Sequence, residues 1–345
     1  MTCGLMTIER NVSLKELTTF KLGGPARYFC RARSVDDLRG AVEFARKEKL
    51  PLAVLGGGSN VLVPDRGFDG LVVKMETLGI TFTDRPRGRV LVTAAAGEDW
   101  DYLVSLAVNK GLWGVENLSG IPGTVGGAPV QNIGAYGAEL KDVVGFVEVF
   151  DTQTFKLRKL RKRDCGFSYR HSVFKTPLGR KFIITAVGIL LNKKGGPHLD
   201  YKDLAAFFAG RKRPPALPEV RRAVLEIRGR KFPDLKTCGT AGSFFKNPLV
   251  SKKTYRELLK RFPALPSFPA VAGRVKLPLG WIIERICGLK GARDGKVGTF
   301  EKQALVLVNH GGASACDVAI FADKIARSVK EKTGLNPEWE VVRLE

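Results

Sequence analysis

The 345-residue sequence is poor in the residues that build metal sites and disulfide frames. Its three histidines, His171, His198 and His310, form no ligand-spaced cluster. Its six cysteines, Cys3, Cys30, Cys165, Cys238, Cys287 and Cys316, include no C-x-x-C pair. In a chain of this length they read as reduced thiols, and no metal is expected. The longest apolar run, residues 182–191, falls well short of the roughly 20 residues a membrane helix needs. MTCGLMTIERNV at the start has no basic segment followed by an apolar one, so no secretory signal is expected. Acidic residues are scarce beside basic ones, 34 against 57, for a formal net charge of +23. Such a field attracts polyanions. Lys and Arg are nonetheless spread along the chain, apart from KLRKLRKR at 156–163, and no aromatic-interleaved RNA motif accompanies them. No specific nucleic-acid partner is expected. An anionic small molecule explains part of the charge, and the remainder has no sequence-level account. With 44% hydrophobic residues the chain can bury sizeable cores in two or three domains, as a soluble cytoplasmic protein would.

One stretch lacks charge altogether. Residues 118–138, LSGIPGTVGGAPVQNIGAYGA, hold six glycines and two prolines but no charged residue, although 26% of the chain is charged. Gly and Pro at this density forbid a regular helix or a central strand. Two readings stay open: a buried irregular connection, or backbone wrapped closely around a ligand. In the second, freed N–H groups serve as donors to a phosphate or a flat ring. Another glycine stretch, LAVLGGGSNVLV at 52–63, joins two runs of β character. It has neither a G-x-G-x-x-G opening a helix nor a Gly-Lys-Ser/Thr, which excludes the Rossmann and Walker patterns. What is left is a short nest of N–H groups suited to a pyrophosphate.

The remaining pattern is mixed helix and strand, an α+β chain. Residues 10–33 read as β-rich with a turn at Gly23-Gly24-Pro25. Ser34-x-x-Asp37 predicts a capped helix to about Glu48 with Leu38, Val42 and Ala45 on one face. Strands are expected at 52–55, near Val61, and at 71–74 and 89–96. An amphipathic helix over 98–109 turns Trp100, Leu103 and Leu106 to the core rather than to a cofactor. Further strands are expected at 146–150, 156–160 and 182–191. Residues 192–217, with GG, PP and a basic run, read as a linker or inserted lobe before a third unit. That unit opens with a helix over 218–229 burying Val220, Val224 and Ile227. Later helices are expected at 252–262, 279–287 and 315–333, the last capped by Ser314-x-x-Asp317 and ended by Gly334.

The glycine stretches carry a resemblance. GGGSN (56–60) and SGIPGTVGGAPVQNIGAYG (119–137) are followed by YRHSVF (169–174), LDYKDL (199–204), AGSFFKNP (241–248), KLPLGWIIE (276–284) and LNPE (335–338). In this order the chain resembles the UDP-N-acetylenolpyruvoylglucosamine reductases, the MurB-type flavoenzymes of peptidoglycan synthesis, in the subgroup with a mobile tyrosine loop. The resemblance spans nearly the whole chain. It implies two N-terminal α/β subdomains, 1–76 and 77–213, forming an FAD-binding unit of the vanillyl-alcohol-oxidase/PCMH kind. A C-terminal α+β substrate domain follows at 214–345, whose last strand packs back on the first subdomain. It further implies non-covalent FAD, NADPH as hydride donor, UDP-N-acetylglucosamine-enolpyruvate as substrate, and a monomer. FAD contacts are implied at Gly56, Gly57, Gly58, Ser59 and Asn60, and at Ser119, Gly120, Ile121, Pro122, Gly123, Gly126, Gly127, Asn132, Gly134, Ala135, Tyr136 and Gly137.

By the same resemblance Arg170 is the active-site arginine, Ser243 the proton donor to C2 and Glu338 the catalytic carboxylate. Tyr201 is the mobile tyrosine over the nucleotide diphosphate. Arg228, Lys231, Asn247, Lys276, Lys290 and Gln303 are substrate or NADPH contacts. Without the motifs, Arg170 reads as a surface arginine, Ser243 as a small turn residue and Glu338 as one of several C-terminal acids. The chain departs from the family pattern at Phe268, where relatives place a tyrosine, across residues 294–300, and at Trp339. Trp339 leaves Glu340, two positions on and expected on the same strand face, as a rival to Glu338. Two other readings compete. One is a flavin oxidase or dehydrogenase of the same fold; such enzymes often attach flavin through His or Cys, and no His lies in the glycine-rich stretch. The other is a non-catalytic anion-binding protein, suggested by the charge alone.

Overall fold

The computed structural model describes residues 6–270 and 273–344; Cys3 lies outside them. The chain forms two compact units. The first takes the chain up to Val12, Ala26–Gly57 and Asp69–Gly229, and the second takes Ser13–Pro25, Gly58–Phe68 and Arg230–Glu345.

The first unit holds two sheets. The four-stranded one runs in the order Glu9–Ser13, Pro25–Ala32, Phe68–Met75, Leu52–Leu55. Leu71, Val72 and Val73 are all fully buried in succession, the mark of a strand covered on both faces. Leu52–Leu55 lies parallel to it, Leu52 opposite Leu71 and Leu55 opposite Lys74. The helix Val35–Lys47 begins at the expected capping box: Ser34 accepts from the Asp37 N–H and the Asp37 carboxylate accepts from the Ser34 N–H. It buries Leu38, Ala41, Val42 and Ala45. The five-stranded antiparallel sheet has the order Lys156–Arg161, Val144–Asp151, Phe182–Asn192, Arg89–Ala95, Ile80–Arg85. Its edge carries the basic run, and part of that charge is paired: Arg158 with Asp151 and Lys159 with Glu148. Charged side chains on an edge strand also discourage pairing with another chain.

The helix Trp100–Asn109 buries Trp100, Leu103, Val104, Ala107 and Val108. This is a stripe of 3.6-residue period, and it leaves Leu106 only half-buried, so the buried face lies slightly round from the expected one. Trp100 is a core residue, as its position predicted, and its indole N–H donates to the Leu118 carbonyl at 2.9 Å. The entry to the glycine-rich stretch is thereby fixed. Residues 192–217 contain a short helix, Lys202–Phe207, whose Leu204 packs with Phe208 on Val220, Val224 and Ile227 of the helix Leu217–Lys231 and on Tyr136. That helix, expected to open the C-terminal domain, is thus packed in the first unit as far as Gly229.

The second unit is organised around the helix Ala315–Thr333, capped by Ser314 and Asp317 and ended at Gly334 with φ +75°. The Asp65 carboxylate adds a second cap, accepting from the N–H groups of Ala315 and Cys316 at 2.7 and 3.0 Å. The hairpin Val297–Phe300 and Gln303–Asn309 shares its core. The expected helix over 279–287 is one α-turn, Leu279–Trp281, running into a π-turn, Ile282–Ile286. The last strand, Val342–Arg343, pairs parallel with Val61–Leu62. Among the described residues no helix is long and apolar enough to cross a membrane.

Candidate functional site

In the first unit the two glycine stretches meet backbone to backbone. The strand Leu52–Leu55 delivers Gly56 and Gly57 against Gly123 and Thr124. A Cβ on Gly57 would stand 2.6 Å from the Gly123 Cα, and one on Gly56 would stand 2.5 Å from Thr124 Oγ1. Neither position has room for a side chain. The second stretch is pinned from behind: the Trp100 N–H donates to Gly123 O, the Val125 N–H to Glu98 O and the Gly126 N–H to Ala96 O, at 3.0, 2.8 and 2.8 Å. A Cβ on Gly126 would meet the Ala96 Cβ at 2.7 Å. The stretch is therefore an irregular, partly buried connection whose glycines allow close backbone packing. Pro122 and Gly127 are exposed along it, while Ile121 packs on the core. Thr124 Oγ1 is buried without a hydrogen-bond partner among the described residues. Lys74, at the end of the neighbouring strand, donates its ammonium to the Gly56 carbonyl. Burial pushes its pKa down.

Gly120, with φ +68°, is gripped on both sides. Its N–H donates to Asp101 Oδ1 at 2.6 Å, and its carbonyl accepts from Arg228 Nε at 3.0 Å. Arg221 holds the same Asp101 carboxylate in a two-pronged pair at 2.6 and 2.9 Å. Burial alone would raise the Asp101 carboxyl; the bonds from Arg221 and Gly120 outweigh it and hold it below the ordinary carboxylate range. Arg228 is half-buried beside Tyr136. Ser119 is fully buried and donates to the Glu116 carbonyl at 2.6 Å.

Farther along, Tyr136 and Tyr201 meet edge to face with centroids 5.3 Å apart. Burial pushes the Tyr136 hydroxyl up to about 12 and raises Tyr201 also, with Asp203 and Tyr169 adding to the second shift. The Asn117 side chain ties the Tyr136 carbonyl to that of His198, donating to both at 2.8 Å. Gly137 faces the His198 ring, and Ala135 packs on Leu204 and its neighbours. Arg170 sits at the corner of a tight turn closed by Ser168 and His171, at φ +52°, a strained conformation for a non-glycine residue. Its Nη2 donates to the Gly134 carbonyl at 2.9 Å. Asn132, also at positive φ, is fully buried and donates to Glu139 and to the Ser168 carbonyl of that turn, while its Oδ1 accepts from the Lys141 N–H. Its side chain organises the loop.

The other site residues belong to the second unit. Gly58 accepts from the Thr19 N–H at 3.0 Å, followed by Ser59, and Asn60 holds the C-terminal segment by donating to the Glu340 carbonyl at 3.2 Å. Ser243 is half-buried beside Val306. The Glu338 side chain is 75% exposed and its carboxylate lies 3.0 Å from the Lys246 ammonium, whereas Glu340 is buried. The two acids thus occupy different environments despite their spacing. Trp339 packs its ring on Phe244 at 4.7 Å. Asn247 Oδ1 accepts from the Leu279 N–H at 2.9 Å, and Gln303 Oε1 lies against Gly280; Leu279 and Gly280 both follow Lys276 in the same motif. The Lys276 ammonium stands 5.9 Å from the Phe268 ring centroid. Lys290 pairs with Glu284 at 3.2 Å, Lys231 ends its helix half-buried, and residues 294–300 include the strand Val297–Phe300. Among the described residues no group of three or more His, Cys, Asp or Glu could hold a metal ion.

Residues 26–155 match the model of an FAD binding domain, and residues 233–344 match that of the UDP-N-acetylenolpyruvoylglucosamine reductase C-terminal domain. The chain is 45% identical over 331 residues to UDP-N-acetylenolpyruvoylglucosamine reductase of Cupriavidus pinatubonensis, covering 96% of this chain and 97% of the relative. It is 42% identical over 336 residues to the same-named protein of Pseudomonas aeruginosa, covering 97% and 98%. The chain belongs to the UDP-N-acetylenolpyruvoylglucosamine reductase family. The crystal structure of the family member from Thermus caldophilus aligns with a TM-score of 0.67 and 29% identity, over 99% of this chain and 100% of that one.

Within this reductase family fold, the FAD-binding match covers residues 26–155 of the first unit. There Gly57 and Gly126 are packed against Gly123 and Ala96, and Thr124 keeps a buried hydroxyl without a partner among the described residues, which a bound group could satisfy. Lys74, Asp101 and Arg221 could not be singled out from the sequence, because their hydrogen-bond partners lie 18 to 120 residues away. Thr124 did carry a signal: it is a hydroxyl residue set between Gly123 and Gly126.

Proposed function

We propose that the chain is an FAD-dependent, NADPH-oxidising reductase that converts UDP-N-acetylglucosamine-enolpyruvate to UDP-N-acetylmuramate. The observation that carries this reading is the full-length identity to reductases of that name, joined to the FAD binding domain match over residues 26–155. Bound FAD would supply hydride-transfer chemistry, accepting hydride from NADPH and releasing it to C3 of the enolpyruvyl ether. Arg170 would hold the substrate carboxylate as negative charge builds on it; a guanidinium suits this because it stays charged and presents a planar fork. Ser243 would deliver the proton to C2, and Glu338, steadied by Lys246, would orient the serine or relay its proton. Tyr201 and Arg228 would line the nucleotide diphosphate, and Tyr136 would contact FAD. Asn247, Lys276, Lys290 and Gln303 would bind the nucleotide sugar, with Lys231 near the phosphates. We also take the chain to act as a cytoplasmic monomer with its flavin held non-covalently.

The test is anaerobic. Flavin reduced by NADPH in the purified protein should be reoxidised on adding UDP-N-acetylglucosamine-enolpyruvate. Flavin that stays reduced until oxygen enters would overturn the assignment. Acid precipitation should leave the yellow colour in the supernatant.

A further inference from the structure

We infer that Asn117 is a positioning residue that latches the segment carrying Tyr201 onto the glycine-rich stretch. The inference rests on the reading of Tyr201 as a nucleotide contact, and it names what decides where that tyrosine stands. Residues 195–200 lie between the strand ending at Asn192 and the helix Lys202–Phe207, with no regular structure of their own. Among the described residues no backbone-to-backbone hydrogen bond reaches 194–200. Such a connection takes its place from the groups packed against it. The short segment 113–118 supplies two of these holds. Trp113 exchanges backbone bonds with Asn192 at 2.9 and 3.0 Å, and a Cβ on Gly195 would stand 2.8 Å from the Trp113 Cβ. Four residues on, Asn117 is 2% exposed, and its amide donates to the Tyr136 and His198 carbonyls, both at 2.8 Å. Both acceptors are carbonyls, so only the NH2 end of the amide can face them. Asn117 Oδ1 is left buried without a partner among the described residues; the two donated bonds outweigh an unpaired acceptor. Beside the latch the two stretches touch. A Cβ on Gly137 would stand 3.1 Å from the His198 ring and 4.0 Å from the Tyr201 Cβ, and Leu199 packs on the cluster that holds Tyr136. Tyr201, three residues past the bonded His198 carbonyl, is thereby set with its ring edge to face on Tyr136.

The experiment uses the flavin-loaded protein. Asn117→Asp keeps the shape of the side chain but turns its donors into acceptors facing two carbonyls; Asn117→Ser removes the reach without adding charge. In both variants the KM for UDP-N-acetylglucosamine-enolpyruvate should rise about tenfold to a hundredfold, the usual range for two lost hydrogen bonds, with kcat within about threefold. Tryptic cleavage after Lys194 and Lys202, followed by mass spectrometry, should quicken about tenfold while cleavage elsewhere keeps its rate, because cleavage tracks the population of the opened segment. In a Tyr201→Ala background the same substitutions should raise KM by less than about threefold, since the tyrosine they position is gone. Unchanged KM in both Asn117 variants would overturn the inference. So would losses that add fully to that of Tyr201→Ala, or cleavage that quickens along the whole chain with loss of flavin; either would mark a packing role. If Tyr201→Ala alone leaves KM unchanged, the nucleotide-contact reading of Tyr201 fails instead, and the cleavage rates after Lys194 and Lys202 then decide the latch by themselves.

Discussion

Arg170 is held at φ +52°, and Asn132 and Tyr136 share the left-handed region. Three site positions in a conformation costing non-glycine residues about 1–3 kcal/mol each mark backbone fixed by its surroundings. The Arg170 fork keeps one arm on the Gly134 carbonyl. Arg170→Lys should therefore fail to restore function: reoxidation of reduced flavin by substrate should fall by about 10²-fold or more while FAD stays bound. Near-native reoxidation in that variant would remove the role. Ser243→Ala should separate the half-reactions. Flavin reduction by NADPH needs no proton from a serine and should keep its rate. Reoxidation by the enolpyruvyl substrate should slow by about 10²–10⁴, the usual worth of a placed general acid. Ser243→Cys should retain more than Ala, since a thiol can still donate. Stopped-flow absorbance reads each half, and equal slowing of both would reduce Ser243 to a turn residue. The motifs around Arg170, Ser243 and Glu338 are local, so the roles expected of them could be proposed from the sequence. The contrast between exposed Glu338 and buried Glu340 was not legible there, because it depends on the neighbouring segment 244–246.

At the scale of elements, local chemistry was readable and long-range chemistry was not. The capping boxes at Ser34 and Ser314 and the Gly334 terminator depend on residues three or four apart, and each helix begins and ends where they say. The helix Leu217–Lys231 was legible as a helix, but its partners Asp101, Gly120 and Tyr136 lie about a hundred residues back. It staples the glycine-rich loop: Arg221 steadies Asp101, and Asp101 and Arg228 bond the N–H and the carbonyl of Gly120. Asp101→Asn should weaken FAD binding by about 1–3 kcal/mol, the cost of spoiling a charge-assisted, partly buried set. The carboxyl is held below its ordinary range, so its contribution is present above the unfolded-state pKa and lost as pH falls through the lowered folded value. Flavin release on acidification should therefore show a component from Asp101, absent in Asp101→Asn. An acid-release curve identical in the two proteins would exclude the staple.

For the whole molecule the quantity to explain is +23. Pairing accounts for part of the local basic run: Asp151, Glu148 and Asp164 each face at least one of its members. The counts in the sequence leave an excess of 23 positive charges that no internal acid can balance. Both proposed substrates are polyanions, NADPH through its phosphates and the nucleotide sugar through its diphosphate and carboxylate. A strongly positive field raises their local concentration and speeds encounter without touching the chemical step. Salt screens such a field over about 10 Å at roughly 0.1 M, while bound, partly buried pairs are screened much less. The two contributions therefore separate by ionic strength. Between about 20 and 200 mM sodium chloride the second-order rate constant for flavin reduction by NADPH should fall about tenfold, within the range known for steered association. The saturated reduction rate should change by less than about twofold, since it begins after encounter. The same fall should appear in kcat/KM for the nucleotide sugar. Replacing three exposed members of the run, Lys156, Lys162 and Arg163, by glutamine should flatten the slope only slightly if the field is collective. A steep loss of the slope would instead place the steering in that one strand edge. Rates independent of salt would show that the charge does not serve substrate capture.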